Sequence, residues 1–173
     1  MKKSFLFVAA LFLMALTRAQ MSPVDEIFNK YSEKKGFTVV TISSRMFSMF
    51  ADQDVDTKDA DNIMKQLKSI KILSVEDSLM NKNLNFYSEL NKKQFLEDYE
   101  ELLVVKEGAD ITKFLIKENG DLISELLVIT GGPGGNSIIS IKGDINLKNI
   151  SDLSKNIGIQ ELKGLDNINK KAP

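Results

Sequence analysis

The sequence predicts a single α+β domain: a mixed, largely antiparallel sheet of five or six strands with helices mainly on one face. Three observations carry this expectation. An amphipathic helical stretch comes early, β-branched runs separated by turn residues fill the second half, and no low-complexity linker divides the two.

Ser22 and Pro23 form an N-cap and first-turn pair. Val24, Ile27, Phe28 and Tyr31 come next at helical spacing until Lys34, Lys35 and Gly36 end the helix. Residues 37–43 (FTVVTIS) are rich in β-branched side chains and read as a strand that runs on into 45–50 (RMFSMF). The acidic stretch Asp52 to Asp61 leads into Ile63, Met64, Leu67 and Ile70, where negative charge suits a helix N-terminus. A second strand is expected at 69–75 (SIKILSV), then a polar helical stretch over 82–99 with a break near Asn91.

From Glu101 onward strands alternate with turns. LLVVKE, ITKFLIK and LISELLVIT are separated by Gly108 to Asp110 and by Asn119-Gly120, a pair that favours a tight type I′ hairpin. GGPGGN at 131–136 makes the next turn and SIISIK at 137–142 is the last clear strand. Gly143 is expected to let the backbone leave that strand at positive φ, with Asp144 or Asn146 capping the turn beyond it. Ile145 to Leu153 should lead into a short closing helix, and the tail should fray from about residue 165. The expected core is Val39, Ile42, Ile72, Phe114, Ile116, Leu127, Ile129 and Ile139.

Residues 1–19 read as a signal peptide cleaved after Ala19, which makes 20–173 the exported domain, periplasmic or secreted. Lys2 and Lys3 give the basic start, Phe5 to Leu16 the apolar run, and Thr17 and Ala19 the short residues before the cleavage point. At ~1.5 Å per residue, that run falls well short of a ~30 Å hydrocarbon core. No transmembrane anchor is expected after cleavage, which leaves 20 Lys plus Arg against 24 Asp plus Glu, a net charge of −4. Such a balance offers nothing to a phosphate backbone, so no nucleic-acid partner is expected.

The sequence contains no His, no Cys and no Trp. Imidazole acid–base chemistry, thiolate nucleophiles and the soft ligands of zinc, haem and iron–sulfur sites are therefore ruled out. No cofactor and no catalytic residue is assigned, and the expectation is a protein that is not an enzyme.

Four features invite a chemical reading. Asp52, Asp54, Asp56 and Asp59 are candidate calcium ligands. An EF-hand is rejected because its sixth position would be Thr57 and its twelfth Ile63. GGPGG lies between two strand-like runs and opens no helix, so it reads as a hairpin connection and not as a phosphate cradle. Ser32 and Lys35 have serine acyl-enzyme spacing without the partner motifs. Arg45, Met46, Phe47, Met49 and Phe50 are the candidate partner contacts, because two Met and two Phe within five residues make an adaptable apolar surface beside the only Arg of the mature chain. The competing reading of the same segment is core filling.

EKKG followed by FTVVTIS and MF, the later ELLVVKE, and ISELLVITGG followed by IISIKGDINLKNISDLS together resemble the domain of unknown function numbered 4252. The resemblance covers roughly Pro23 to Ser154. It implies a small exported protein of a Gram-negative bacterium, with no catalytic residues to carry over. Some members resemble lipoproteins with a cysteine after the signal, and this chain departs from that pattern. The family's gene setting is similar to that of extracytoplasmic sigma-factor systems, which implies an envelope-stress context. The function expected is that of a periplasmic or envelope interaction protein whose partner is another envelope protein or a second copy. The alternatives are a carrier of a small apolar ligand or lipid, and a carboxylate-dependent hydrolase.

Overall fold

The structure, a computed structural model, describes residues 22–51, 64–75, 77–92, 95–120 and 122–145. The signal at 1–19, the Asp52, Asp54, Asp56 and Asp59 group, the closing segment after Ile145 and the tail from about 165 lie outside the described residues, as does the side chain of Phe50.

Helix α1 (Pro23–Tyr31) starts where Ser22 Oγ accepts a hydrogen bond from the Asp25 amide at 3.1 Å, and it buries Val24, Ile27, Phe28 and Tyr31. Strand β1 (Phe37–Ser43) passes directly into α2 (Ser44–Ala51). Here the structure corrects the expected continuation of the strand into RMFSMF. Alternation would have buried positions 45, 47 and 49 together, but only Phe47 of the three is buried, while Arg45, Met46, Ser48 and Met49 face solvent.

Strand β2 (Leu67–Val75) is followed by α3 (Ser78–Asn83), α4 (Phe86–Asn91) and a 3₁₀ turn at Phe95–Asp98. The helical stretch expected over 82–99 is therefore several short pieces, one of which does end at Asn91. Asp77 caps α3 and Asn85 caps α4, and each cap restarts the chain in a new direction. Strands β3 (Glu100–Glu107), β4 (Asp110–Asn119), β5 (Leu122–Gly131) and β6 (Ser137–Ile145) complete the described elements.

The six strands form one sheet in the order β1-β2-β6-β5-β4-β3. Every neighbouring pair is antiparallel, so the sheet is not mixed. Asn119 pairs with Leu122, so Gly120 and not Asn119 opens the β4–β5 turn, and its φ of 64° is the left-handed conformation that glycine tolerates. Gly143 differs from expectation too. It stays within β6 opposite Leu67, and a Cβ there would come within 2.5 Å of the Gln66 carbonyl oxygen. Close backbone approach, not positive φ, demands glycine at that point. Asp144 also stays in the strand and pairs with Lys68 at 2.7 Å.

Both faces of the sheet are buried. One face gathers Ile70, Phe114, Ile116, Leu126, Val128, Ile139 and Ile141, with Phe47 of α2 packed among them. The other gathers Leu73, Leu115, Leu127, Ile129 and Ile138 beneath Val24, Ile27 and Phe28 of α1 and Phe86 and Leu90 of α4. Of the expected core, Phe114, Ile116, Leu127, Ile129 and Ile139 are buried. Val39, Ile42 and Ile72 are only half-buried, because β1 lies at the sheet edge and β2 beside it.

Asn136 ties the helical layer to the sheet. Its Oδ1 accepts the Phe86 amide at 3.0 Å, and its Nδ2 lies within donating distance of the carbonyls of Gly132 at 2.9 Å and Leu84 at 3.0 Å and of Asn81 Oδ1 at 3.1 Å. Its own carbonyl accepts the Val75 amide at 3.0 Å. A buried amide satisfied on all sides holds three segments in one register, and truncating it strands their polar groups. Asn136→Ala should cost roughly 2–4 kcal/mol of unfolding free energy. Asn136→Asp should cost at least as much, because it replaces a donor with an acceptor facing carbonyls. Urea unfolding of the three proteins measures both.

Candidate functional site

The two edges of the sheet differ in kind. Strand β3 carries Glu100, Glu101, Lys106 and Glu107 and has a register shift between Glu101 and Leu103, features that discourage pairing with another strand. Strand β1 has no charged residue and no proline, and it pairs with β2 in unbroken register over Phe37 to Ser43. Its central residue, Val40, is 40% exposed.

Apolar side chains flank this edge at both ends. At the C-terminal end, α2 leaves the sheet with Phe47 inward at 4% exposure and Met49 outward at 62%, with Met46 outward beside it. A helix is what makes this division: Phe47 reaches the sheet while Arg45 and Met49, which a strand would place on its own side, turn to solvent. At the N-terminal end an open groove of about 500 Å³ begins at Phe37 and is lined by Tyr31, Lys34, Leu79, Met80 and Leu84 among others. Phe37 stacks on Tyr31 with ring centroids 4.6 Å apart, forming the groove's inner wall. Leu79, 68% exposed, and Met80 are held at the rim because Asp77 Oδ1 accepts both their amides, at 2.7 and 3.1 Å.

A second, polar constellation lies on the α1-covered face. Glu125 is buried, accepting from Ser140 Oγ at 2.6 Å and from Tyr99 Oη at 2.9 Å. Burial, with the Glu125 charge behind it, pushes the Tyr99 phenol far up, so it remains a hydrogen-bond donor. Asp25 on α1 reaches Lys71 at 2.7 Å and Lys142 at 3.7 Å. Burial works to raise the Asp25 pKa, but hydrogen bonds from Lys71 and Ser22 and the Lys142 charge together hold it below its ordinary 3.8. These contacts dock the start of α1 onto β2 and β6. Each acid in this constellation is hydrogen-bonded or ion-paired to a neighbouring element, which ties α1, the segment at Tyr99 and the sheet together.

The partner-contact residues named from sequence therefore divide. Arg45, Met46 and Met49 lie together on the exposed side of α2, and Phe47 faces the core. Among the described residues no group of three His, Cys, Asp or Glu side chains is placed to hold a metal. Sequence reasoning passes over Leu79 and Met80, whose signal is two apolar residues in the first turn after a capping Asp. It also passes over Glu125, the one charged residue in the apolar run from Leu122 to Gly131.

Because its folded-state pKa lies below 3.8, Asp25 contributes stability that is present above that pH and lost as pH falls through the folded value. Asp25→Asn should be less stable than the parent at neutral pH, and the gap should narrow as pH drops below 3.8. Thermal unfolding of both proteins across a pH series reads this directly.

A family model described as Domain of unknown function (DUF4252) matches residues 31–153, well over half of the chain. No curated protein and no solved structure matches the chain.

Proposed function

The chain belongs to the DUF4252 family, and from that premise we propose that it is a non-enzymatic, exported interaction protein of the periplasm or envelope, binding through the surface around β1. One observation carries the reading. Of the seven exposed large apolar side chains among the described residues, Val40 lies on β1, Met46 and Met49 on the helix leaving it, and Leu79 and Met80 in the groove that begins at Phe37. Five of seven lie around one edge, Val40 and the α2 methionines toward the Phe47 face and Leu79 and Met80 toward the α1 face, and a binding site along that edge accounts for this better than scattered exposure.

Export is supported by Lys2, Lys3, the apolar run and the short residues before cleavage at Ala19. Among the described residues no helix is long and apolar enough to cross a membrane. The family's gene setting favours an envelope-stress role. In this reading the helices sit mainly on the face that α1 and α4 cover, and among the described residues no strand lies beyond β1 at its edge. Carriage of a small apolar ligand is the second reading, and the open groove of about 500 Å³ is what favours it.

Photo-crosslinking residues placed at 46 and 49 in intact cells should capture one stoichiometric envelope partner. The double substitution Met46→Asp with Met49→Asp should abolish capture of that partner by affinity purification and leave the melting temperature unchanged. Capture of no single partner at either position defeats the contact through α2. Co-purification of a lipid or small apolar molecule, lost on Leu79→Asp, would favour the carrier.

A further inference from the structure

We propose that β1 is a strand-addition site: it receives an extended polypeptide segment in antiparallel pairing, with an apolar side chain of that segment in the Phe37 groove and acidic residues at its two ends. The proposal rests on the interaction reading and deepens it by naming the partner's chemistry. An edge strand exposes a row of backbone donors and acceptors, and natural proteins usually blunt such rows with charges, proline or bulges. In this sheet β3 is blunted in that manner, whereas β1 carries no charge, proline or bulge and has no further strand beside it among the described residues. A seven-residue edge without a register break matches the length that strand addition uses.

Charge decides the occupant. Lys34 and Lys35 precede the strand and Arg45 comes after it, while β1 itself is uncharged. No ion pair involves Lys34, Lys35 or Arg45 among the described residues; Lys34 lies over the Tyr31 ring at 4.7 Å, on the groove wall. Asp77, the acid lining the groove, is already engaged by the Leu79 and Met80 amides. A second copy pairing antiparallel through β1 would set the Lys34–Lys35 end of one chain beside the Arg45 end of the other, cation against cation. An extended segment with Asp or Glu at each end meets opposite charge at both places. The groove then takes the apolar residue adjoining the strand at the Phe37 end, and alternate side chains of the segment pack beside Val40.

The test uses a fluorescein-labelled peptide with a seven-residue alternating Thr/Val core, a Leu after it and Glu at both ends, titrated with the mature protein. Anisotropy should show saturable binding. Affinity should fall at least tenfold when the terminal Glu are changed to Lys, when alternate core amides are N-methylated, or when the protein carries Val40→Lys or Leu79→Asp. Both substitutions are at exposed side chains, and an unchanged circular dichroism melt confirms that each variant is folded. No saturable binding at millimolar peptide overturns the proposal, as does binding indifferent to N-methylation. Dimerisation in sedimentation velocity that Val40→Lys abolishes also overturns it, since the occupant is then a second copy. Peptide binding without any cellular crosslink at 46 or 49 would leave strand addition standing and defeat the α2 contact alone.

Discussion

The central strands β5 and β6 have no solvent face, and most other features of the molecule answer to that constraint. Leu126 and Val128 point to one buried cluster while Leu127 and Ile129 point to the other, and Ile138 and Ile139 divide in the same way. Such strands read as continuous apolar runs instead of alternating ones. Each face then needs cover. Helices α1 and α4 contribute to one cluster, and α2 contributes Phe47 to the other. Where polar groups enter this double-sided interior they arrive with partners: Glu125 has Ser140 and Tyr99, and Asn136 has four backbone or side-chain neighbours. An unpartnered group there would cost about 1–3 kcal/mol.

Burial in the middle leaves function to the margins. Among the described residues, apolar exposure is concentrated around β1, where the strand ends in a helix at one side and in a groove at the other. The same strand lacks the charges and irregularity that guard β3. Among the described residues, one edge of the sheet is guarded by charge and a register shift and the other is not, which is the asymmetry that strand addition uses. Strand addition also fits a chain without His or Cys, because backbone hydrogen bonding requires no special side-chain chemistry.

Much of the fold is legible in the sequence because it rests on local patterns. Ser22-Pro23 marks a helix start whatever packs against it, and β-branched FTVVTIS or SIISIK suits a pleated strand wherever the sheet lies. RMFSMF departs from its expected strand for a physical reason. Met and Phe are compatible with either element, and the choice turns on whether one face or alternate positions meet the sheet. Glu125 carries a signal, a lone acid in an apolar run, yet its partners Tyr99 and Ser140 are remote in sequence and meet it only across the fold. Gly143 stands out as a glycine from its place at the end of SIISIK, but the requirement comes from Gln66 in another segment and not from the dihedral of its own residue.

By itself the sequence determined the chemistry that is absent, the α+β class, the strand runs and the family to which the chain belongs, since composition and short-range spacing are properties of the chain alone. Tertiary structure decided the rest. Only pairing assigns β1 to an edge and β5 and β6 to the middle, because strand order depends on contacts between residues far apart in sequence. Only packing turns Phe47 inward and leaves Met46, Met49, Leu79 and Met80 exposed around β1, because exposure is settled by what else competes for the same surface.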